Sequence, residues 1–357
     1  MRDLLENTAQ RAITYLETIG DRAVAPSPAA IAKLATLDHP LTDGPTPAED
    51  VIKLLDEIGS PATMAMAGPR FFGFVIGGSL PVTVAANWLA GAWDQNSGLF
   101  TPTPATAQLE QVALNWLLDL FRLPPDCGGA FVTGATMANF SALAAARHAL
   151  LRRAGWNVEA DGLFGAPPIT VVVGDEAHPT LFKSLGLLGL GRKRVVKVPV
   201  DSQGRIMAEA MPSLSGPTIV CVQAGNVNSG AFDPFSEICE RAHAAGAWVH
   251  VDGAFGLWAA TAPSTGALVI GLSDADSWAT DFHKWLNVPY DSGISIVRDR
   301  EALRAAMAIT ADYLPTSEFR NPSDFTPELS RRARGVEVWA ALRSLGRQGV
   351  SELIERN

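Results

Sequence analysis

From residue 169 onward, short apolar runs alternate with segments that have helical spacing. The apolar runs cover 169–174, 194–198, 218–223 and 248–251. The segments with helical spacing lie between them, at 179–190, 207–214 and 235–245. Strands separated by single helices make right-handed crossovers, which align the strands in parallel. The pattern therefore predicts an α/β fold with a mostly parallel sheet.

Over the whole chain, the pattern predicts three segments, 1–66, 67–300 and 301–357. Residues 1–66 contain helices at 2–19, near 27 and at 46–59, separated by Pro-rich links. This segment has too little apolar surface for a core of its own, so we expect it to pack on a neighbour or on a second subunit. Residues 67–300 form the large domain, with long helices at 105–121 and up to about 153, and 301–357 begin a C-terminal region.

Two apolar runs end in residues suited to chemistry. One ends at Asp252, and the other ends in Asp281-Phe282-His283-Lys284. The carboxyl edge of an open α/β sheet is where such folds bind ligands. A lysine amine forms a Schiff base with an aldehyde, and a carboxylate keeps a pyridine nitrogen protonated, so the pair predicts pyridoxal 5'-phosphate (PLP). The alternative is that Asp252 caps a turn at Gly253 and Lys284 is a solvated charge.

These residues also carry a family resemblance. His250-Val251-Asp252-Gly253-Ala254 followed by Asp281-Phe282-His283-Lys284-Trp285 resembles the group II PLP-dependent decarboxylases, which include aromatic-amino-acid, histidine and glutamate decarboxylases. The resemblance extends from Arg70 to the end of the chain. It implies a fold-type I PLP-dependent transferase of the aspartate aminotransferase type, a three-layer α/β/α sandwich. It also implies a homodimer with the active site at the subunit interface, an N-terminal segment that wraps the partner, and a small C-terminal domain beyond residue 357.

A phosphate site is predicted where a short run meets a long helix. Thr133-Gly134-Ala135-Thr136 opens an Ala-rich helix, whose free N–H groups and dipole favour an anion. Small residues at a helix start also serve close packing. The motif resembles the family's phosphate cup, with Met137 in place of a glutamate, and this implies that Ala135 and Thr136 contact the phosphate.

Further contacts come from loops at other strand ends. His178 follows a strand end, where a flat imidazole can stack on a pyridine ring and hydrogen-bond a substrate carboxylate, although a local cap is the simpler role. The resemblance implies the stacking role, with Val227 in place of a cofactor-contacting threonine and Asp281 in place of an asparagine. A carboxylate beside a phosphate is repulsive unless it is turned away or paired. The implied cofactor contacts in these loops are His178, Asn226, Asn228, Ala254, Asp281 and His283.

The predicted substrate pocket is assembled from three separate stretches. Gly77 and Gly78 allow a backbone to approach a ligand closely, although a tight turn is the commoner reason for paired glycines. Asn96 and Gly98 lie in a polar link that, by resemblance, lines the side-chain pocket, where aromatic decarboxylases carry apolar bulk. That difference weighs against a catecholic or indolic substrate. Arg331 lies in the Arg-rich start of the final helix at 330–339, which resembles the family's helix start near the phosphate of the dimer partner; the alternative is a solvated face.

Tyr313 is the predicted acid. It belongs to a long polar loop at 311–327, whose length suits an active-site lid. A decarboxylase must return a proton to Cα, and a phenol on a lid can supply it. By resemblance Tyr313 matches the family's loop tyrosine, and the alternative is an anchoring aromatic on a surface loop.

Charge and composition exclude other classes of protein. The net charge of −9 and the lack of a basic stripe argue against a nucleic-acid partner. Three cysteines without metal spacing fit reduced thiols, and no signal peptide or membrane-length apolar run is seen, so we expect a cytoplasmic protein.

The predicted function is decarboxylation of an L-amino acid to its amine, with Lys284 forming the Schiff base, Asp252 holding the ring nitrogen, and no metal. An aldehyde synthase, aminotransferase or aldolase on the same scaffold is the near alternative. A metal-dependent hydrolase using the pairs His250/Asp252 and Asp281/His283, each spaced i, i+2, is a distant one. An inactive structural dimer is another.

Overall fold

The computed structural model describes residues 1–309 and 318–357. The chain forms two compact units, Met1–Gly78 and Ser79–Asn357. The helices of the first unit are α1 (Arg2–Thr18), α2 (Pro28–Lys33) and α3 (Ala48–Leu54). Ser27 caps α2 by accepting the Ala30 N–H at 3.1 Å. Ala65 is the one buried apolar residue of Met1–Gly78, so this unit has almost no core of its own.

The second unit contains the sheet and the longer helices. Its strands are β1 (Gly128–Val132), β2 (Thr170–Gly174), β3 (Val196–Val198), β4 (Thr218–Gln223), β5 (Trp248–Asp252), β6 (Ser277–Asp281) and β7 (Gly293–Val297). Its α-helices are α4 (Pro81–Trp93), α5 (Pro104–Leu120), α6 (Ala135–Arg153), α7 (Val158–Asp161), α8 (Pro179–Leu187), α9 (Phe235–Ala244), α10 (Arg300–Met307) and α11 (Gly335–Glu355).

Within the described residues the seven strands form one sheet in the order β1-β7-β6-β5-β4-β2-β3. Strand β7 runs antiparallel to both of its neighbours, β1 and β6. The remaining pairs are parallel, and β5 pairs with β6 so that Asp252 lies opposite Ala279. Because β4, β5 and β6 point the same way, their last residues meet at one edge. The predicted α/β fold with a mostly parallel sheet is confirmed.

Alternate residues of each strand enter two separate cores. Trp248 and Ala279 pack with side chains of α6, α8 and α10 on one face. Val249 and Trp278 pack with side chains of α5, α9 and α11 on the other. The sheet is therefore the middle of three layers, and β5 and β6 are buried along their whole length.

Two predicted helices differ in the structure. The helix expected at 207–214 is wrong, because only the 3₁₀ turn Ala208–Ala210 forms there. Met211 is extended (φ −62°, ψ 137°), as expected for a residue that precedes a proline. The final helix begins at Gly335 and not at residue 330.

The described helices were also compared with the dimensions of a bilayer. Across residues 1–309 and 318–357, none of them combines the length and apolar character that a membrane crossing requires.

Candidate active site

Asp252 is the buried carboxylate at the end of β5. Its Oδ2 accepts the side-chain N–H of Asn139 at 3.0 Å, and its Oδ1 accepts the Ala254 N–H at 3.3 Å. Burial raises the pKa of this carboxyl, while the Asn139 bond and the charges of Lys284 and His178 act in the opposite direction. Because β5 pairs in parallel with β6, the end of β5 lies beside the end of β6, which Lys284 follows. The predicted pair of Asp252 and Lys284 lies at one edge of the sheet.

Lys284 follows β6 by three residues, at the same edge. Its Nζ lies 3.3 Å from Oδ2 of Asp281, and its side chain is about one-fifth exposed. The ring of Phe255 lies beside the amine, with its centroid 5.9 Å from Nζ. The amine is thus partly shielded and held by a carboxylate, while solvent still reaches it.

Asp281 occupies the start of α6, the predicted phosphate site. Its Oδ1 accepts the Ala135 N–H at 2.6 Å, and its Oδ2 lies 3.5 Å from His283 Nε2. The carboxylate is therefore paired with the helix start, the histidine and Lys284, which offsets part of the repulsion expected from the sequence. Asp281 also accepts the hydrogen bond from the Ala135 N–H, which the resemblance implies for the phosphate.

The surroundings of Gly134, just before α6, test whether a phosphate fits there. A Cβ at Gly134 would lie 3.2 Å from Asp281 Oδ1 and 3.3 Å from His283 Cε1, so the glycine keeps this corner open. The ring of His283 lies beside this corner, and its Nδ1 is buried. Thr136 stands in the first turn of α6, and its carbonyl accepts the Ser184 hydroxyl at 2.9 Å. The corner fits a phosphate group, with Asp281 as a competing anion at one N–H.

His178 is the N-cap of α8. Its Nδ1 accepts the Thr180 N–H at 3.3 Å and lies 2.7 Å from the Thr180 hydroxyl. The backbone N–H of His178 donates to Gln223 Oε1. His178 therefore makes the local cap, the simpler of the two roles expected from the sequence, through its Nδ1. Because Nδ1 accepts a hydrogen bond, a neutral ring carries its proton on Nε2, which leaves that N–H for a ligand.

The two asparagines after β4 have different settings. Asn226 is buried: its Nδ2 donates to Glu176 Oε2 at 2.9 Å, and its Oδ1 accepts the N–H groups of Asn228 and Ser229. Asn228 is exposed. The amide of Asn226 is thus committed to its own turn, and contact of either asparagine with the cofactor stays a prediction.

The predicted pocket residues of the second unit are tied to the scaffold. Gly98 is buried, and a Cβ there would lie 2.4 Å from the Leu329 carbonyl oxygen. Asn96 is exposed, and its Oδ1 accepts the Arg331 N–H at 2.9 Å. The guanidinium of Arg331 is fully buried against Glu110 at 2.8 Å and also donates to the Ser97 and Phe131 carbonyls. These contacts favour a structural role for Arg331, and a role at the substrate stays a prediction.

The structure does not decide the role of three other predicted residues, Gly77, Gly78 and Tyr313. Gly78 has φ +76°, and a Cβ there would lie 3.1 Å from the Ala67 Cα, so the paired glycines make a turn within Met1–Gly78. Gly77 precedes it, and its predicted place in the pocket is untested. Tyr313 lies outside the described residues.

Asn139 is the partner of Asp252 that sequence reasoning missed. Its Oδ1 lies 2.9 Å from His250 Nε2, and His250 Nδ1 lies 2.9 Å from the Ser277 hydroxyl. The available signal was its position one helical turn after Ala135. Both ring nitrogens of His250 are committed, and the described residues contain no group of three potential metal ligands, so the metal-hydrolase alternative lacks support.

A fold-type I sheet with a lysine and a buried carboxylate at adjacent strand ends defines the class of PLP enzymes. The family model described as pyridoxal-dependent decarboxylase conserved domain matches residues 32–357. The chain therefore belongs to the group II PLP-dependent decarboxylase family, and PLP is the cofactor of that family. The resemblance, the cofactor and the fold class stated from the sequence are confirmed.

Curated relatives and solved structures agree with this assignment. The chain is 29% identical to an aromatic-L-amino-acid decarboxylase of Bacillus atrophaeus over 78% of its length, and 30% identical to an L-2,4-diaminobutyrate decarboxylase of Rhizobium meliloti (strain 1021) over 84%. It spans 58% and 61% of those two relatives. A crystal structure of Oryza sativa TDC with PLP and tryptamine matches 98% of this chain and 75% of its own, at 26% identity and a TM-score of 0.88.

Proposed function

We propose that this chain is a PLP-dependent decarboxylase that releases CO2 from an L-amino acid and leaves the amine. The observation that carries the proposal is the buried Asp252 carboxylate at the end of β5, beside the end of β6, which Lys284 follows by three residues. The similarity to relatives named as decarboxylases of aromatic and diamino acids supports the reaction class. When bound, PLP supplies an electron-accepting ring for the carbon that loses its carboxylate.

Four residues of this chain have proposed roles around that ring. The Lys284 amine would hold the cofactor through its aldehyde, and Asp252 would hold a proton at the ring nitrogen. The Nε2–H of His178 is free to donate to a substrate carboxylate, because its Nδ1 already caps α8. Tyr313, outside the described residues, is the proposed proton donor to Cα.

The larger assembly is part of the proposal. A homodimer with the active site at the subunit interface would cover Met1–Gly78, which has little core of its own. The division into a wrapping segment (1–66), a large domain (67–300) and a C-terminal region (301–357) stays a prediction, as does a cytoplasmic location.

A borohydride experiment tests the cofactor site. The full chain is incubated with PLP, reduced with borohydride, digested and mapped by mass spectrometry, with Lys284→Ala and Lys183→Ala in parallel. We expect the reduced cofactor on residue 284 in the unaltered chain and in Lys183→Ala, and no such adduct in Lys284→Ala. An adduct on another lysine would contradict the assignment of Lys284.

A product assay separates decarboxylation from its near alternatives. The PLP-loaded chain is offered a panel of L-amino acids, and CO2, amine, ammonia and aldehyde are measured together. We expect CO2 and amine in equal amounts without ammonia. CO2 with aldehyde and ammonia would indicate an aldehyde synthase, and keto-acid formation without CO2 would indicate an aminotransferase. Absence of any product with a confirmed adduct would favour the inactive structural dimer.

A further inference from the structure

Five buried side chains form a continuous row of hydrogen bonds that ends on Asp252. Trp248 Nε1 donates to Ser277 Oγ at 2.9 Å, and Ser277 Oγ lies 2.9 Å from His250 Nδ1. His250 Nε2 lies 2.9 Å from Asn139 Oδ1, and Asn139 Nδ2 donates to Asp252 Oδ2 at 3.0 Å. Each of these residues is at most 5% exposed. The row is therefore sealed from solvent along its length.

The donors and acceptors in the row fix the direction in which each hydrogen bond is donated. The indole N–H of Trp248 can only donate, so Ser277 Oγ accepts from it, and among the described residues the hydroxyl proton of Ser277 then has His250 Nδ1 as its acceptor. Burial lowers the pKa of His250 to about 3, so the ring is neutral and carries one proton. With Nδ1 accepting from Ser277, that proton is on Nε2 and is donated to Asn139 Oδ1. The amide then has only N–H to present to Asp252.

We propose that Asn139 is a positioning residue that keeps Asp252 ionised and aimed at the ring nitrogen of PLP, with His250, Ser277 and Trp248 fixing the orientation of its amide. The inference rests on the proposed function, because it assumes that Asp252 pairs with the ring. A buried carboxylate tends to take up a proton, and a protonated Asp252 would not stabilise a protonated pyridine. A flipped Asn139 would place its oxygen against Asp252, and the His250 N–H prevents that flip.

The fold explains why these residues meet. Trp248, His250 and Asp252 alternate along β5 and so share the face that packs against α6. Ser277 is the register partner of His250 on β6. Asn139 lies four residues after Ala135, on the same side of α6, so one helix contacts both Asp281 and Asp252. A single helix thereby sets both anionic groups of the site.

The test compares PLP with 1-deazapyridoxal 5'-phosphate, which keeps the aldehyde and the phosphate and lacks the ring nitrogen. Equilibrium affinities of both ligands are measured for the unaltered chain, for Asn139→Leu and for Asp252→Ala. We expect the unaltered chain to prefer PLP, and Asn139→Leu to lose on the order of tenfold in affinity for PLP alone, since a hydrogen bond to a charged group is lost. In Asp252→Ala the preference for PLP should vanish.

A milder variant keeps the inference testable if Asn139→Leu does not fold. Trp248→Phe removes only the first donor of the row, and Trp278→Phe is its matched control, because Trp278 is equally buried and donates to the Leu272 carbonyl. We expect Trp248→Phe to lower the preference for PLP over the deaza ligand and Trp278→Phe to leave it unchanged.

The outcomes separate the inference from the proposed function. Equal losses for both ligands in Asn139→Leu, or in Trp248→Phe where only that variant folds, would mean a purely structural role and would overturn the inference. An unaltered chain that binds PLP and the deaza ligand equally well would instead overturn the pairing of Asp252 with the ring, and with it the proposed function.

Discussion

Asp281 Oδ2 lies 3.3 Å from the Nζ of Lys284, while Oδ1 of the same carboxylate accepts the first N–H of α6. One side chain therefore holds the reactive amine and occupies the start of the helix at which a phosphate is expected. The site carries a negative charge of its own where the cofactor brings two more. This arrangement leads to the first prediction.

Asp281→Asn should tighten PLP binding. The amide oxygen can still accept the Ala135 N–H, while the charge that opposes the phosphate is gone. Two like charges several ångströms apart in a partly buried site repel by roughly 1–2 kcal/mol, so we expect about a tenfold gain in affinity. Pyridoxal, which lacks the phosphate, is the control ligand and should gain less. Weaker binding of PLP by this variant would show that Asp281 assists the phosphate.

His250 should make the chain less stable in acid. Burial lowers its pKa to about 3 in the folded state from an ordinary value of 6.5, so the unfolded chain takes up the proton first. The stabilisation is complete above pH 6.5 and is lost as the pH falls towards 3, at about 1.4 kcal/mol per pH unit.

Chemical unfolding at several pH values measures this slope. Asp233, whose pKa burial raises to about 6, acts in the opposite direction between pH 4 and 6, so the comparison is made with His250→Leu and not with zero. The variant should show a flatter decline between pH 6 and 4. Identical slopes would mean that His250 titrates normally in the folded chain.

Gly98→Ala should destabilise the second unit. The added Cβ would lie 2.4 Å from the Leu329 carbonyl oxygen, which is backbone and cannot swing away. We expect a loss of about 1–3 kcal/mol in the free energy of unfolding, measured with urea. Gly91→Ala in α4 is the control, since nothing lies within 4 Å of its added Cβ, and it should stabilise the helix by about 0.5–1 kcal/mol. Equal effects of the two changes would contradict the steric explanation.

Glu110→Gln should be strongly destabilising. The fully buried Glu110 carboxylate pairs with Arg320 at 2.9 Å and with Arg331 at 2.8 Å, so its loss leaves two buried guanidinium groups without a counter-charge. We expect a cost of about 3–5 kcal/mol in the free energy of unfolding. Asp119→Asn, which breaks the exposed pair with Arg347, is the control and should change little. A Gln variant as stable as the unaltered chain would show that the two arginines do not need the Glu110 charge.

The sequence predicted those parts of the site that follow from a local pattern along the chain. Asp252 and Lys284 were assigned from two apolar runs that end in polar residues, and the parallel pairing of β5 with β6 places them at one edge. The helix expected at 207–214 is wrong because its spacing runs across Pro212, whose effect on Met211 ends the turn. Arg331 was interpreted as part of a solvated or ligand-facing helix start, and only the fold places it against Glu110.

The amino-acid sequence by itself determined the alternation of strands and helices from residue 169 onward apart from 207–214, the polar residues at the ends of β5 and β6, and the family, because periodicity, turn residues and short motifs are local properties of the chain. The tertiary structure decided which polar groups meet: Asn139 and Asp252 are 113 residues apart, and Asp281 and Ala135 are 146 apart. A hydrogen bond needs its donor–acceptor distance to be right to within a few tenths of an ångström, and it needs a suitable angle. Those are set only when α6 packs on the sheet, and no spacing along the sequence encodes them.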